Sequence, residues 1–196
     1  MRPRPRVTLH PRVVVLVEGR SDVAAVEALC AARGLDPETD SFALVDMGGV
    51  TNVAHHLTRL TSSPGSPRVL GLCDAPEERF VIRALRREGV EVETRQDLER
   101  AGFVVCDRDL EDELIRALGP ARVESVLGEL GQHEQLRAFQ RQPQWRGRDV
   151  HDQLRRFAGT ASGRKALFAR RLAEELTPEN TPPPLARLLD ALAQAL

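Results

Sequence analysis

Three apolar stretches of this sequence stop on an acid. "VVVLV", residues 13–17, runs into Glu18, with Asp22 one helical turn later. "RVLGLC", residues 68–73, runs into Asp74. "GFVVC", residues 102–106, runs into a cluster of Asp107, Asp109, Glu111, Asp112 and Glu113. Carboxylates gathered in one place repel one another and are costly unless cations neutralise them. A ligand set of oxygens, with no His or Cys close in sequence, favours Mg²⁺ or Mn²⁺ over zinc. One or two such ions suit phosphoryl chemistry, because they activate a water and stabilise a leaving oxygen. Each acid alone also reads as a helix N-cap or first-turn acid. Three strands ending in the same way point to a shared site.

For these acids to meet, the strands that carry them must run parallel and end at one edge. Val13–Val17 show no alternation, which marks a strand covered on both faces. Val23, Val26, Ala28, Leu29 and Ala32 then follow helical spacing, with Ser21 or Asp22 expected as N-cap. "SFALVDMGGV" reads as a second strand ending in Asp46 and the pair Gly48-Gly49, "TNVAHHLTRL" as a helix, and "TSSPGSP" as a loop. The Asp74 strand leads into a helix over "EERFVIRALRREG", whereas "EVETRQDLER" is polar and reads as an irregular or edge segment. The last acidic cluster opens a helix closed by Gly119-Pro120. From residue 121 the pattern is helical, broken at Gln142-Pro143, Gly159–Gly163 and "TPENTPPP". The expectation is an α/β fold, with a largely parallel sheet, right-handed crossovers and a C-terminal helical extension.

The chain of 196 residues is 41% hydrophobic and 4% aromatic, which fits a soluble domain with an aliphatic core. No apolar run nears the roughly 20 residues of a membrane span. The start, "MRPRPRVTLHPR", is basic and has no apolar signal core, so the expected location is cytoplasmic. Cys30, Cys73 and Cys106 lie far apart without CxxC spacing and read as buried, reduced thiols. The net charge of −1 conceals a division. Residues 74–134 carry sixteen Asp/Glu against nine Arg, a balance of −7. Residues 135–171 carry nine Arg and one Lys against two Asp, a balance of +8. Such regions either hold a metal and a polyanion side by side or form two solvated surfaces that neutralise each other. On the first reading Arg146, Arg148, Arg155, Arg156 and Arg164 are candidate contacts to a nucleic-acid backbone. Trp145 offers base stacking between arginines, or core anchoring with Phe139, Phe157 and Phe168. The five His residues show no ligand spacing beyond the adjacency of His55 and His56.

"VLVEGRSDVAAVEAL", "GGVTNV", "GLCDAPEE" and "DLEDELIRAL", in this order and spacing, resemble the Toprim (topoisomerase–primase) domain. The likeness is closest to the version found in overcoming-lysogenization-defect (OLD) family nucleases. It spans residues 12–118 as a Toprim domain, between a basic arm at 1–11 and a helical extension at 119–196. The resemblance implies a Rossmann-like fold and metal-dependent hydrolysis of nucleic-acid phosphodiesters, DNA first among them. By the same resemblance, Glu18, Asp22, Asp74 and Glu111 bind metal, with Glu18 and Asp74 central to catalysis. Gly48-Gly49 matches the family's glycine turn. The second acid of the Asp-x-Asp motif is replaced by Pro76, for which Glu77 or Glu78 would substitute from the next turn. The family also places a lysine after the Toprim core that reaches the active site. Lys165 is the single Lys among 28 basic residues, and Gly159 and Gly163 precede it. OLD nucleases usually carry an ATPase domain, and this chain has no GxxxxGK[ST] loop, so any ATPase would be a separate partner. Pro76 also supports an alternative, a non-catalytic module that binds metal or nucleic acid. A receiver-like signalling domain would need a lysine soon after its fifth strand, and the only Lys lies in the helical tail.

Overall fold

The computed structural model describes residues 11–62, 64–160 and 164–196, except for the side chain of Arg164. Most of the basic arm and Gly163 therefore lie outside the described residues. Four strands, β1 (Val13–Val17), β2 (Phe42–Asp46), β3 (Arg68–Asp74) and β4 (Phe103–Cys106), form one parallel sheet in the order β2-β1-β3-β4. The register pairs Val17 with Asp46, Leu16 with Gly71, and Asp74 with Cys106, so the strands end along one edge. The chain turns from one side of β1 to the other between β2 and β3. This is the switch point at which open α/β sheets leave a crevice.

Every residue of β1 is buried because helices cover both faces. Val13, Val15 and Val17 face one core and Val14 and Leu16 the other, as the period of two requires. Helices α1 (Arg20–Ala32), α5 (Leu110–Leu118), α6 (Pro120–Glu129), α7 (His133–Gln140), α8 (Val150–Ala158), α9 (Arg164–Glu174) and α10 (Pro183–Ala195) gather over the first face. Helices α2 (Val53–Thr61), α3 (Glu78–Arg87) and α4 (Arg95–Arg100) cover the second. The helices after Gly119 share one apolar core with β1 and α1, from Val13 through Leu192. At Gly71 in β3, a Cβ would fall deep inside the van der Waals radius of the buried Phe103 ring on β4. Only glycine lets these two strands pair there.

Two local expectations are corrected. Helix α1 starts at Arg20 with Gly19 as its cap, and neither Ser21 nor Asp22 occupies that position. Asp22 instead sits at the third helical residue and accepts the Gly19 N–H at 2.8 Å. "EVETRQDLER" contains α4, a genuine helix with little apolar periodicity beyond the buried Leu98. Its start is fixed by a reciprocal cap. Thr94 Oγ1 accepts the Asp97 N–H at 3.2 Å, and Asp97 Oδ2 accepts the Thr94 N–H at 2.9 Å.

Candidate metal centre

Glu18, Asp74 and Glu77 each bring a carboxylate oxygen within 4.8 Å of the others, at the sheet edge beside the β1/β3 switch. Glu18 follows β1 directly. Its backbone carbonyl accepts the Gly49 N–H at 2.9 Å, and Gly48 and Gly49 adopt positive φ to make that contact. Asn52 closes the same turn by donating to the Met47 and Gly48 carbonyls at 2.9 and 3.2 Å. Asp74 is the last residue of β3, and Ala75–Glu77 form a 3-10 turn with the exposed Pro76 near its start. Three residues complete one 3-10 turn, so position 77 comes back over position 74 while position 76 points away. That geometry is why a proline at position 76 does not remove an acid from the cluster.

Asp22 in the first turn of α1 and Glu111 in the first turn of α5 stand near enough for their charges to act on Asp74. Lys165, the second residue of α9, places its Nζ 3.3 Å from Glu111 Oε1. The acids of the β4–α5 turn divide the remaining tasks. Asp109 caps α5 by accepting the Asp112 N–H at 2.8 Å. Glu113, fully buried, accepts the Asp107 N–H at 2.9 Å and pairs with Arg116. Asp112 meets His151 of α8 at 3.0 Å and Arg108 at 3.4 Å. His151 thus has a partner, 39 positions away, that its spacing in the sequence did not signal.

The carboxylates hold their protons unusually tightly. Burial, then the charge of Glu111, raises Asp22 from 3.8 to about 7. Burial, then the charge of Asp22, raises Asp74 from 3.8 to about 8. Glu77 rises from 4.5 to about 7 through burial and its contact with Glu18, and its Oε2 is buried without a hydrogen-bond partner. Glu111 is also raised, by burial first, although Lys165 opposes the shift. Burial disfavours the charge on Lys165, but Glu111, Asp22 and Asp74 outweigh it, and the ammonium is held above its ordinary range. In the ion-free protein these acids are therefore protonated at a pH where exposed carboxylates are fully charged. A hard divalent cation would be stabilised by the same oxygens. Opposite ligands on a cation with arms of about 2.1 Å stand roughly 4.2 Å apart, close to the observed spread. The oxygen-only set and the orphaned Glu77 Oε2 both fit such an ion.

The basic candidates divide. Arg155 is half-buried on α8, and its Nε donates to Asp109 Oδ2 at 2.6 Å, so its charge is already engaged. Arg146, Arg148 and Arg156 are exposed. The side chain of Arg164 lies outside the described residues.

Residues 10–75 match the family model described as "Overcoming lysogenization defect protein-like, TOPRIM domain". These residues are thus similar to an OLD-like Toprim segment. The match includes Glu18, Asp22 and Asp74, while Glu77, Glu111 and Lys165 lie beyond it. Among solved structures, the C-terminal region of the Xanthomonas campestris pv. campestris OLD protein superposes with a TM-score of 0.72 at 23% identity. That alignment covers 94% of this chain and 93% of the other. The C-terminal region of the Burkholderia pseudomallei OLD protein gives 0.66 at 19% identity, covering 94% and 98%. These likenesses extend the shared fold through the C-terminal helices. No curated protein matches the sequence. Among the described residues no helix is long and apolar enough to cross a membrane.

Proposed function

We propose that this protein is a divalent-metal-dependent hydrolase of nucleic-acid phosphodiesters, with DNA as the expected substrate. The observation that carries this reading is the convergence of Glu18, Asp74 and Glu77 at the sheet edge. Glu18, Asp74 and Glu77 would hold one Mg²⁺ or Mn²⁺, and Asp22 with Glu111 would extend the acid set toward a second. When bound, the ion lowers the proton affinity of water and offsets charge developing on the phosphate. Lys165 adds a compact positive charge beside Glu111, where a phosphate oxygen can meet it. The glycine turn and Asn52 fix the main chain behind Glu18, so this carboxylate is held before substrate arrives. Arg146, Arg148, Arg156 and Arg164 supply the backbone contacts, and Arg155 orients Asp109 at the mouth of the site. In this reading residues 12–118 are the Toprim unit and 119–196 a helical extension that delivers Lys165. The buried free cysteines suit a reducing cytoplasm.

The test is incubation of supercoiled plasmid with the full chain and Mg²⁺ or Mn²⁺, with Asp74→Ala as control. Nicking that needs the ion, and is lost in the variant, is the expected result. Retained Mn²⁺ binding with no nicking of any substrate would replace this reading with the non-catalytic module that Pro76 favours. Equal nicking in excess chelator would refute the metal role.

A further inference from the structure

A groove of about 450 Å³ opens between α7 and α8, and none of the clustered acids lines it. Phe139, Trp145 and Phe157 form its apolar lining, and Gln142, Gln144 and Arg156 form its polar rim. Trp145 is only half-buried. One side of its ring stacks on Phe139, with centroids 5.1 Å apart and planes 25° from parallel. The Arg148 guanidinium lies 5.7 Å from the ring centroid, and its Nε donates only to the Gln144 carbonyl, at 2.8 Å. Phe139 in turn meets Phe157 edge-on at 5.6 Å, which ties the stack to the main core. Trp145 is thus a rigid platform whose outer partner is an exposed, weakly held planar cation.

The charges around this groove differ from those elsewhere in the basic segment. Arg155, Arg170 and Arg171 are spent in ion pairs with Asp109, Glu174 and Glu129. Among the described residues, Arg137, Arg141, Arg146, Arg148 and Arg156 have no carboxylate partner, and all five lie on α7, on α8 or in the turn between them. An aromatic platform on a segment that keeps five arginines without carboxylate partners, Arg148 against the ring and Arg156 on the groove, has the two elements of single-strand recognition. Stacking holds a base, and unpaired cations hold the flanking phosphates.

We propose that the α7–α8 groove binds an unpaired nucleobase of single-stranded nucleic acid, stacked on Trp145. The base takes the place of the Arg148 guanidinium, which turns to an adjacent phosphate. Stacking a base on an indole outweighs an exposed cation–π contact, so the exchange is favourable. Gln142 and Gln144 line the groove with their amides paired, Gln144 Nε2 donating to Gln142 Oε1 at 2.9 Å, and their remaining donors and acceptors can meet a base edge without requiring one base identity. Helix α8 connects the two regions: Arg156 lines the groove, and the preceding Arg155 reaches Asp109 of the β4–α5 turn. A strand held here passes the candidate metal centre with unpaired nucleotides. The inference narrows the proposed substrate to single-stranded or frayed segments, and it rests on that function only for what happens to the strand afterwards.

The test uses the fact that Trp145 is the only Trp in the chain. The full chain is titrated in excess chelator with oligothymidylate, oligouridylate and a matched duplex of about 12 nucleotides, while indole emission is followed. Saturable quenching by either single strand, but not by the duplex, is the expected result. In anisotropy with a labelled strand, Trp145→Leu should weaken binding about tenfold, while Trp145→Phe stays within about threefold of wild type. Single-strand binding without quenching, or equal binding by Trp145→Leu, would show that the arginines hold only phosphates and would overturn the proposal. Chelator keeps the metal centre out of the measurement. The quenching readout is independent of nicking: an Asp74→Asn chain that cannot nick should still be quenched.

Discussion

Asp74→Asn should make the metal-free protein more stable. Asp74 stands beside Glu18 and Glu77, and burial raises its pKa from 3.8 to about 8. At pH 7 the folded state holds this proton while the unfolded chain has released it. The difference of about 3.2 pH units corresponds to roughly 4.4 kcal/mol at 1.36 kcal/mol per unit. Solvent reaches the open side of the site, and the neighbouring acids share the repulsion, which reduces the gain expected from a neutral amide to about 1–3 kcal/mol. For a chain of this size that is a rise in melting temperature of roughly 3–10 °C. The assay is thermal unfolding in excess chelator at pH 7, followed by the same scan in Mn²⁺. Wild type should gain stability from Mn²⁺, and the variant should gain much less, because one ligand is gone. A chelated variant that melts at or below the wild-type temperature would refute the argument that these carboxylates strain the fold.

The same shifts fix a pH dependence. Asp22, Asp74 and Glu77 have folded pKa values raised to about 7, 8 and 7, so the native state binds more protons than the unfolded state. Metal-free stability should therefore fall as pH rises from about 4 through 8, and Mn²⁺ affinity should climb over the upper part of that window; flat denaturant midpoints between pH 5 and 8 would contradict this. Lys165→Ala should lower plasmid nicking at least tenfold while shifting the melting temperature by less than about 3 °C, since the side chain is about half exposed (48%). Wild-type nicking rates in that variant would remove Lys165 from the mechanism. Gly71→Ala should cost about 1–3 kcal/mol by forcing the Phe103 ring out of its place, and unchanged denaturant midpoints would show that the β3–β4 contact is looser than described.

How much of this was legible in the sequence depended on whether the signal was local. The unbroken Val13–Val17 run, with β1 covered on both faces, announced a central parallel strand, and the alternation of strands and helices announced the sheet. Because parallel strands end at one edge, the meeting of Glu18 with Asp74 followed from topology alone. The position of Glu77 needed one further fact, that Ala75–Glu77 wind as a 3-10 turn and not as the α-helix that starts at Glu78. Helix α4 was hidden because only Leu98 is buried along it, although Thr94-x-x-Asp97 was a readable cap. Long-range pairings left no trace in spacing. Arg155 and Asp109 are 46 residues apart, and the docking of α8 on α5 brings them into contact.

Anomalous diffraction from crystals of the full chain grown or soaked in Mn²⁺ tests the central claim most directly. A peak is expected between Glu18, Asp74 and Glu77, about 2.1–2.2 Å from their oxygens, and it should disappear in Asp74→Asn. Manganese found only elsewhere on the molecule, or no peak at a concentration that supports nicking, would contradict it.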